Sequence, residues 1–590
     1  MTYNHKLQTA TGRERRLLHP IALSAAWGRA LGLAFLLFSA VPFYARTTPV
    51  PTKLSTDVQQ RADADGMVTV IVQHRQMPSD GHLKAIQGRG ATIKSKFHAI
   101  RGVVMRVPVG MLAELAKDPN VTYITPDREQ KMTASPTTEE FATAVEADVA
   151  ASTYAFDGTG IGVAVIDSGI AAHADLGNGS KSRVVYSQSF VAGDTTTSDK
   201  FGHGTHVAGL IGGSGASSGS GNGYAATYAG MAPNVNIINL RVLDQNGSGT
   251  DSQVIAAIQQ AIALQSTYNI RVINMSLGRP VYESYTLDPV DQAVEAAWQA
   301  GIVVVCAAGN NGRFAPTNGF GTIGVPANDP AVITVGATMT ELTPTRVDDK
   351  IASYSSKGPT TLDHIVKPDL VAPGNAQVSL LAKGSTLDTL YPQYEVAPTN
   401  GNASKYFVLS GTSMATPIVS GAVALLLQQN PSLTPDQVKA RLMKTAWKGV
   451  GEFTSSHDRL GNLYNNEYDL FTYGAGYLDI DAALGNTDLA TGVALSQTAV
   501  INTNGSVTVE NTTPDSLFSG SSVVWGANSV VWGDSVVWGP GVLSANSVVW
   551  GANSVVWGAA SETGYSVVWG STSNVASATT ALSDGDPGDN

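Results

Sequence analysis

The stretch IGVAVIDSGI at residues 161–170 decides the fold class of this 590-residue chain. Its apolar run ends in Asp167, and such short β-branched runs are typical of strands buried on both faces of a parallel sheet. Similar runs alternate with helical patterns further along, at residues 235–242, 272–275, 302–307 and 331–335. This alternation predicts an α/β fold with a doubly wound parallel sheet and helices on both faces.

Three segments of this region each carry one residue that a serine nucleophile requires. Asp167 follows VAVI, where a buried carboxylate can orient a histidine, although turn capping is the usual role of such an aspartate. His203 lies in GHGTHVAG, whose glycines let other groups approach the backbone. Ser413 lies in LSGTSMATP at the start of a small-residue helix, where its other reading is a plain N-cap. Because a serine hydroxyl needs a base and a carboxylate to orient that base, we expect the three side chains to meet.

Four further residues, in these segments or in a fourth one at 302–310, have interpretations of their own. Asn310 ends IVVVCAAGN, and its amide is predicted to donate to a developing oxyanion. His206 lacks the HExxH spacing of a zinc helix and is predicted to be a packed, hydrogen-bonded residue. Cys306 is the single cysteine, which excludes an internal disulfide, and we expect a buried thiol. Pro417 is expected in the first turn of its helix, where a missing N–H does little harm.

The order Asp–His–Ser and the wording VIDSGI, HGTHVAG, AAGN and SGTSMATP closely resemble the subtilisin-like serine peptidases, or subtilases, over roughly residues 158–484. The resemblance implies a serine endopeptidase that uses Asp167, His203 and Ser413 as its triad and Asn310 as the oxyanion donor. Polypeptide substrates would bind as an added strand between two backbone edges, with a large apolar side chain in a roomy pocket before the cut. The edges match Gly247, Ser248, Gly249, Ser276, Leu277 and Gly278, and the pocket walls match Ala307, Ala308, Gly309 and Gly324.

A smaller unit is predicted ahead of this region, at residues 65–132. Its pattern is β-α-β-β-α-β, the ferredoxin-like α+β order. It resembles the inhibitory propeptide of the subtilases, which would make the propeptide a partner of its own catalytic domain at 133–484. Self-cleavage is then expected between about Asp127 and Ser135, and the alternative is a small independent regulatory domain.

No cofactor or metal site is predicted. Many subtilases bind calcium through a loop after the histidine helix, but the corresponding residues 212–230 carry no carboxylate. Asp175 matches one calcium ligand of the family, and one carboxylate cannot supply the six to eight oxygens that calcium takes. Structural calcium elsewhere in the chain stays open.

Residues 1–46 are predicted to be an export signal, because positive residues precede the apolar run at 30–40. The alternative is an N-terminal anchor or a buried helix. Residues 47–64 are predicted to be a linker. We expect a secreted or cell-surface bacterial protein with no membrane span in its mature form. The net charge of -11 argues against nucleic acid as a partner.

The last part of the chain, residues 485–590, contains six copies of SVVWG or a close variant. Each copy is a short β-prone run stopped by glycine. The acidic end, residues 583–590, is predicted to be disordered. These repeats favour an alternative function, in which a surface-binding or assembly protein uses its protease domain mainly for self-processing. An esterase or amidase with the same triad is a third interpretation.

Overall fold

The computed structural model assigns the chain to two units, Met1–Pro51 and Thr52–Asn590. All the residues that the structure describes belong to the second unit: 53–55, 57–58, 66–130, 141–179, 181–341, 343, 345–449, 453–458, 461–501, 507–510, 524–525, 530–531 and 586. The predicted export signal therefore lies outside the described residues. Within them, every helix is too short or too polar to cross a bilayer.

The described residues from 53 to 128, at the start of the second unit, are called the leading unit below. They form an antiparallel sheet with two helices, in the β-α-β-β-α-β order that the sequence predicts. The strands follow the spatial order β2-β3-β1-β4. The side chains of Leu83, Ile86 and Leu112 pack with strand residues into a separate hydrophobic core. The elements are β1 (Met67–His74), α1 (Asp80–Gln87), β2 (Thr92–Phe97), β3 (Gly102–Pro108), α2 (Leu112–Leu115) and β4 (Val121–Pro126).

The prediction of a linker over 47–64 is wrong for the residues that the structure describes there. Leu54 forms a parallel bridge with Ile124, and the N–H of Ser55 donates to the Ile124 carbonyl at 2.9 Å. Val58 is 1% exposed and belongs to the core of the leading unit. These two apolar side chains bury surface beside β4, so this stretch is an integral part of the unit.

The described residues from Glu129 onward are called the main unit and contain the remaining elements. The first half comprises β5 (Glu129–Gln130), α3 (Phe141–Ala144), α4 (Ala147–Tyr154), β6 (Gly162–Asp167), β7 (Gly177–Asn178), β8 (Lys181–Ser182), β9 (Val184–Ser189), α5 (His203–Gly212), β10 (Asn236–Arg241), β11 (Gly249–Thr250), α6 (Asp251–Tyr268), β12 (Ile270–Met275), α7 (Pro289–Gln299) and β13 (Val303–Ala307). The second half comprises β14 (Ile333–Met339), β15 (Lys350–Ile351), β16 (Leu370–Pro373), β17 (Gln377–Leu380), α8 (Thr386–Leu390), β18 (Glu395–Val396), β19 (Tyr406–Leu409), α9 (Thr412–Gln429), α10 (Pro435–Thr445), β20 (Phe453–His457), β21 (Leu463–Glu467), α11 (Leu470–Tyr473), α12 (Ile480–Gly485), β22 (Thr498–Ile501), β23 (Val507–Glu510), β24 (Val524–Trp525) and β25 (Val530–Val531).

The central sheet has the order β15-β14-β13-β12-β6-β10-β9, with β16 also paired to β14. Its pairs are parallel except for β14 with β15. Helices α5 and α9 pack on each other, as do α6 and α7, and each pair contacts the sheet. The predicted doubly wound α/β fold is confirmed.

Helix α9 lies at the centre of this packing. Residues 412–427 are all buried, and the helix contains no charged side chain. A helix that is apolar on all sides belongs in a protein interior. The helix packs against strands β12, β13 and β14, and Ser413 lies in its buried first turn.

The compact unit continues beyond the boundary predicted at residue 484. The N–H of Ala499 donates to the His364 carbonyl at 2.8 Å, and Ala499 and Val509 share a hydrophobic cluster with Val366. The packed structure therefore extends to the strand that ends at Glu510. In the repeats, β24 and β25 form an antiparallel pair, and most other repeat residues lie outside the described part of the chain.

Candidate active site

Asp167 and His203 meet at the carboxyl end of β6. Asp167 is the last residue of that strand, and His203 is the first residue of α5. The His203 Nδ1 atom lies 3.1 Å from each carboxylate oxygen of Asp167, and both side chains are buried. Because a carboxylate can only accept, Nδ1 donates its N–H to Asp167, and Nε2 is the ring nitrogen that faces away from this hydrogen bond.

Gly204 makes this close approach feasible. A Cβ atom at this position would lie 2.3 Å from the Gly169 carbonyl oxygen and 2.9 Å from Asp167 Oδ1. Any side chain would therefore push α5 away from β6. The glycine that the sequence analysis assigned to backbone access has this specific steric reason.

Asp199 is a supporting residue that the sequence analysis missed. It is buried, and its oxygens accept the N–H groups of Gly202 at 2.7 Å and Thr205 at 2.8 Å at the start of α5. Ser168 bridges the two carboxylates, donating its hydroxyl to Asp199 and its N–H to Asp167. Burial raises the pKa of Asp199, and the helix N–H groups offset part of that effect. The sequence signal that could have revealed Asp199 is its position shortly before the start of α5, since aspartate side chains often accept N–H groups at the start of a helix.

Ser413 is the second residue of α9 and is 3% exposed. Its hydroxyl donates to the Ser276 carbonyl at 3.1 Å. The Nε2 atom of His203 is buried without a hydrogen-bond partner among the described residues. His203 Nε2 is thus available to accept a hydrogen bond, while the Ser413 hydroxyl donates to the Ser276 carbonyl instead. Catalytic hydrogen bonds often form only when substrate is bound.

Asn310 is fixed to the residue that precedes Ser413. Its Oδ1 atom accepts the Thr412 N–H at 2.9 Å and the Thr412 hydroxyl at 3.1 Å. Because the oxygen is occupied, the amide Nδ2 group is the end of the side chain that remains to donate. Asn310 and Ser413 are therefore held in one constellation.

Pro417 does not lie where the sequence analysis placed it. It is the sixth residue of α9, beyond the first turn, so its missing N–H deprives the Ser413 carbonyl of a helical partner. The Ser276 hydroxyl replaces that partner by donating to the Ser413 carbonyl at 2.9 Å. Ser276, predicted as a substrate-edge residue, thus also anchors the backbone of Ser413.

One of the two predicted substrate edges carries a paired strand. Strand β5 pairs antiparallel with β11, with Gln130 opposite Gly249. The N–H of Asp251 also donates to the Arg128 carbonyl at 2.7 Å. Ser248 accepts the Asp244 N–H in a turn, and Gly247 lies in the same turn with a φ of 71°. In the second edge, formed by Ser276, Leu277 and Gly278, Gly278 takes part in a β-bridge.

The predicted pocket walls come together from two segments. The N–H of Gly324 donates to the Ala308 carbonyl at 3.3 Å. Ala307 ends β13, and Gly309 follows with a φ of 110°, a conformation that favours glycine. A Cβ on Gly324 would lie 2.7 Å from the Arg279 carbonyl. The four residues thus share one tightly packed region beside Asn310.

Two residues weighed for other chemistry are deeply buried. His206 Nε2 lies 3.1 Å from the carbonyls of Gln377 and Phe407. Burial lowers the pKa of His206 to about 3, so the ring is neutral. Cys306 lies inside β13, and burial raises the pKa of its thiol.

Asp175, which resembles one calcium ligand, has protein partners for both oxygens. Its Oδ1 atom accepts the Ser217 N–H at 2.9 Å, and its Oδ2 atom accepts the Tyr406 hydroxyl at 2.5 Å. In the part of the chain that the structure describes, no group of three His, Cys, Asp or Glu side chains is placed to hold a metal ion.

A parallel sheet with an aspartate, a histidine and a serine arranged like Asp167, His203 and Ser413 is typical of one class of serine peptidases. The chain belongs to the subtilase family, whose model matches residues 158–476. The chain is 38% identical to serine protease AprX of Bacillus subtilis (strain 168) over 356 residues, which are 59% of this chain and 75% of that protein. It is 35% identical to the extracellular serine proteinase of Thermus sp. (strain Rt41A) over 375 residues, 62% of this chain and 76% of that protein.

The structure of fervidolysin from Fervidobacterium pennivorans, a keratinolytic enzyme related to subtilisin, has the same fold. The alignment has a TM-score of 0.54 and 24% sequence identity, and it covers 74% of this chain and 64% of that one. The chain is therefore a subtilisin-like serine peptidase, a hydrolase that acts on polypeptides.

Proposed function

We propose that this chain is a secreted serine endopeptidase that is made as a precursor and cleaves itself. In this proposal Asp167, His203 and Ser413 are the catalytic triad and Asn310 is the oxyanion donor. Support comes from the hydrogen bonds that join Asp167 to His203 and Asn310 to Thr412.

In the proposed reaction, Ser413 Oγ rotates from the Ser276 carbonyl to His203 Nε2, gives up its proton and attacks the peptide carbonyl. The Asn310 amide and the Ser413 N–H at the start of α9 donate to the oxyanion. The proton on Nε2 then passes to the leaving amine, and water releases the acyl-enzyme. Asp167 stabilises the imidazolium throughout.

The precursor proposal is carried by one observation, the antiparallel pairing of Gln130 with Gly249. The chain leaving the leading unit thus follows the edge on which a substrate strand would lie. If substrate residues before the cut pair with that edge, the cut follows Gln130, at about 131–135. Those residues lie outside the described part of the chain. The proposal makes residues 65–132 an inhibitory propeptide that occupies the cleft.

Secretion is proposed from the basic and apolar pattern of residues 1–46. A relative whose name describes it as extracellular supports this assignment. We propose that the reaction needs no cofactor. We also propose that Asp175 has a structural role, because both of its carboxylate oxygens accept hydrogen bonds from the protein.

The test is the intact mass of the purified protein beside Ser413→Ala, with the exposed Ser432→Ala as the matched control. The unsubstituted and Ser432→Ala chains should lose everything before about 131–135, and Ser413→Ala should keep it. Casein hydrolysis by the processed protein separates the two candidate functions. Efficient self-cleavage with no casein hydrolysis would favour the surface-binding alternative, and identical processing of all three chains would exclude self-cleavage by Ser413.

A further inference from the structure

Asp586 belongs to the acidic run DGDPGDN and is only 1% exposed. Its Oδ1 atom accepts Arg313 Nη2 at 2.8 Å and the Ser353 hydroxyl at 2.5 Å. Its Oδ2 atom accepts the Ser353 N–H at 2.5 Å. The carboxylate is thus held by three donors of the main unit, and the expectation of disorder is wrong at this residue.

Asn375 recognises the backbone of the same residue. The Asp586 N–H donates to Asn375 Oδ1 at 3.2 Å, and Asn375 Nδ2 donates to the Asp586 carbonyl at 3.1 Å. This reciprocal pair imitates a strand-like contact with a peptide unit. The site therefore fits an acidic residue within a polypeptide better than a free carboxylate.

The cationic side of the site is organised by neighbouring groups. The Arg313 guanidinium lies 5.8 Å from the ring centroids of both Tyr354 and Tyr464. Its Nε atom donates to the Ser353 hydroxyl at 2.7 Å. Burial raises the pKa of the Asp586 carboxyl, and Arg313 opposes that rise. A buried carboxylate is tolerated where a paired cation and further donors satisfy it, as they do here.

Two of the three segments that form the site adjoin the proposed catalytic residues. Arg313 follows Asn310 by three residues in sequence. Asn375 follows Gly374, whose carbonyl accepts the Gly411 N–H at 2.8 Å just before α9 begins. A residue seated in the site therefore contacts the segment that contains Asn310 and a second segment that is hydrogen-bonded to Gly411, two residues before Ser413.

We propose that Arg313, Ser353 and Asn375 form a docking site for an acidic residue of a polypeptide, and that its occupant is the chain's own C-terminal segment, held through Asp586. The VVWG repeats are then attached at both ends, at β23 and at Asp586. In the uncut chain, tethering keeps the effective concentration of the segment at the site high. A cut within the repeats would remove the tether, and the C-terminal piece would then stay bound only through its own affinity for the site.

Amide hydrogen exchange at Ser353 tests this docking directly, since its N–H donates to Asp586 Oδ2. The measurement uses the full chain with Ser413→Ala, which prevents self-cleavage. Asp586→Asn removes the charge with little change in shape, and Asp584→Asn and Asp589→Asn are matched controls in the same run. Asp586→Asn should speed exchange at Ser353 at least about tenfold, because opening of the site becomes easier. Both controls should exchange like the parent.

A peptide with the sequence of residues 581–590, ALSDGDPGDN, provides an independent arm. Added in excess to the Asp586→Asn chain, it should restore slow exchange at Ser353, and the peptide with Asn at the position of Asp586 should not. If Asp586→Asn fails to fold, the same peptide added to the parent should displace the segment and speed exchange around residue 586. Equal exchange at Ser353 in all variants, or equal effects of the two peptides, would overturn the proposal.

Discussion

The Ser276 hydroxyl donates to the Ser413 carbonyl at 2.9 Å and occupies the position of the N–H that Pro417 lacks. We expect Ser276→Ala to leave that buried carbonyl without a partner and to lower the free energy of unfolding by about 1–3 kcal/mol. Urea denaturation of the Ser413→Ala chain, with and without Ser276→Ala, measures this loss in the free energy of unfolding. Pro417→Ala in the Ser276→Ala chain supplies the missing N–H and should recover part of the loss. Additive effects of the two substitutions would contradict this coupling.

Asn310→Ala should lower kcat about 10²–10³-fold with little change in KM, because the amide donor acts on charge that develops in the transition state. That magnitude was measured for the corresponding donor of subtilisin, a member of this family. Asn311→Ala is the matched control, since Asn311 is the exposed neighbour of Asn310. Steady-state hydrolysis of a peptide substrate distinguishes the two. Equal losses in both variants would show that Asn310 has only a structural role.

Gly204→Ala should abolish most activity, because the new methyl group would lie within 3 Å of both the Gly169 carbonyl and Asp167 Oδ1. Displacement of α5 would separate His203 from Asp167. Gly221→Ala is the control, since its Cβ would meet nothing within 4 Å. Both kcat/KM and Tm should fall for Gly204→Ala alone. Normal activity of Gly204→Ala would contradict the steric argument.

The pattern of the sequence could predict the fold and the meeting of Asp167 with His203. Strands of one parallel sheet end at the same edge, so polar residues that follow such strands are brought together. Asn310 was found for the same reason. Sheet geometry accounts for Asp167 and Asn310, whereas His203 begins α5 and was predicted from its motif and from the resemblance to the subtilases.

The supporting contacts could not be predicted from local patterns. Ser276 and Ser413 are 137 residues apart, and their hydrogen bonds depend on how α9 packs against β12. Leu54 and Val58 are isolated apolar residues in a polar stretch, so no periodicity marked their burial. Asp586 sits in a segment of disordered composition and is held by partners more than 200 residues away.

His206 should make the protein sensitive to acid. Its pKa is about 3 in the folded state, where burial excludes the charged ring, against 6.5 when unfolded. Between these values the unfolded chain takes up a proton that the folded chain refuses. The stabilisation is complete above pH 6.5 and is lost as the pH falls, by up to roughly 1.4 kcal/mol per pH unit.

Urea denaturation of the Ser413→Ala chain from pH 7 to pH 4 measures this slope. His206→Gln keeps a donor for the two carbonyls and removes the titration, so its stability should vary less with pH. His98→Gln, at an exposed histidine, is the control and should follow the parent. Parallel curves for His206→Gln and the parent would refute this assignment.

Arg128 of the leading unit forms two hydrogen bonds of 2.5 Å with the Glu283 carboxylate, and Arg128 is 1% exposed. Burial raises the pKa of Glu283, and Arg128 opposes that rise. Arg128 also donates to Asp57, so Arg128→Met would leave the carboxylates of Glu283 and Asp57 without this cation and should cost about 3–5 kcal/mol in the Ser413→Ala chain. Arg128→Met with Glu283→Met should recover part of this loss.

Arg89→Met is the matched control for this pair, since Arg89 and Glu114 form an exposed ion pair on the same unit. Its stability should remain close to that of the parent. In the processing-competent chain, Arg128→Met should also shorten the lag before activity appears, because the leading unit is then held less tightly. Equal stabilities and equal lags for Arg128→Met and Arg89→Met would show that the buried pair does not hold the leading unit in place.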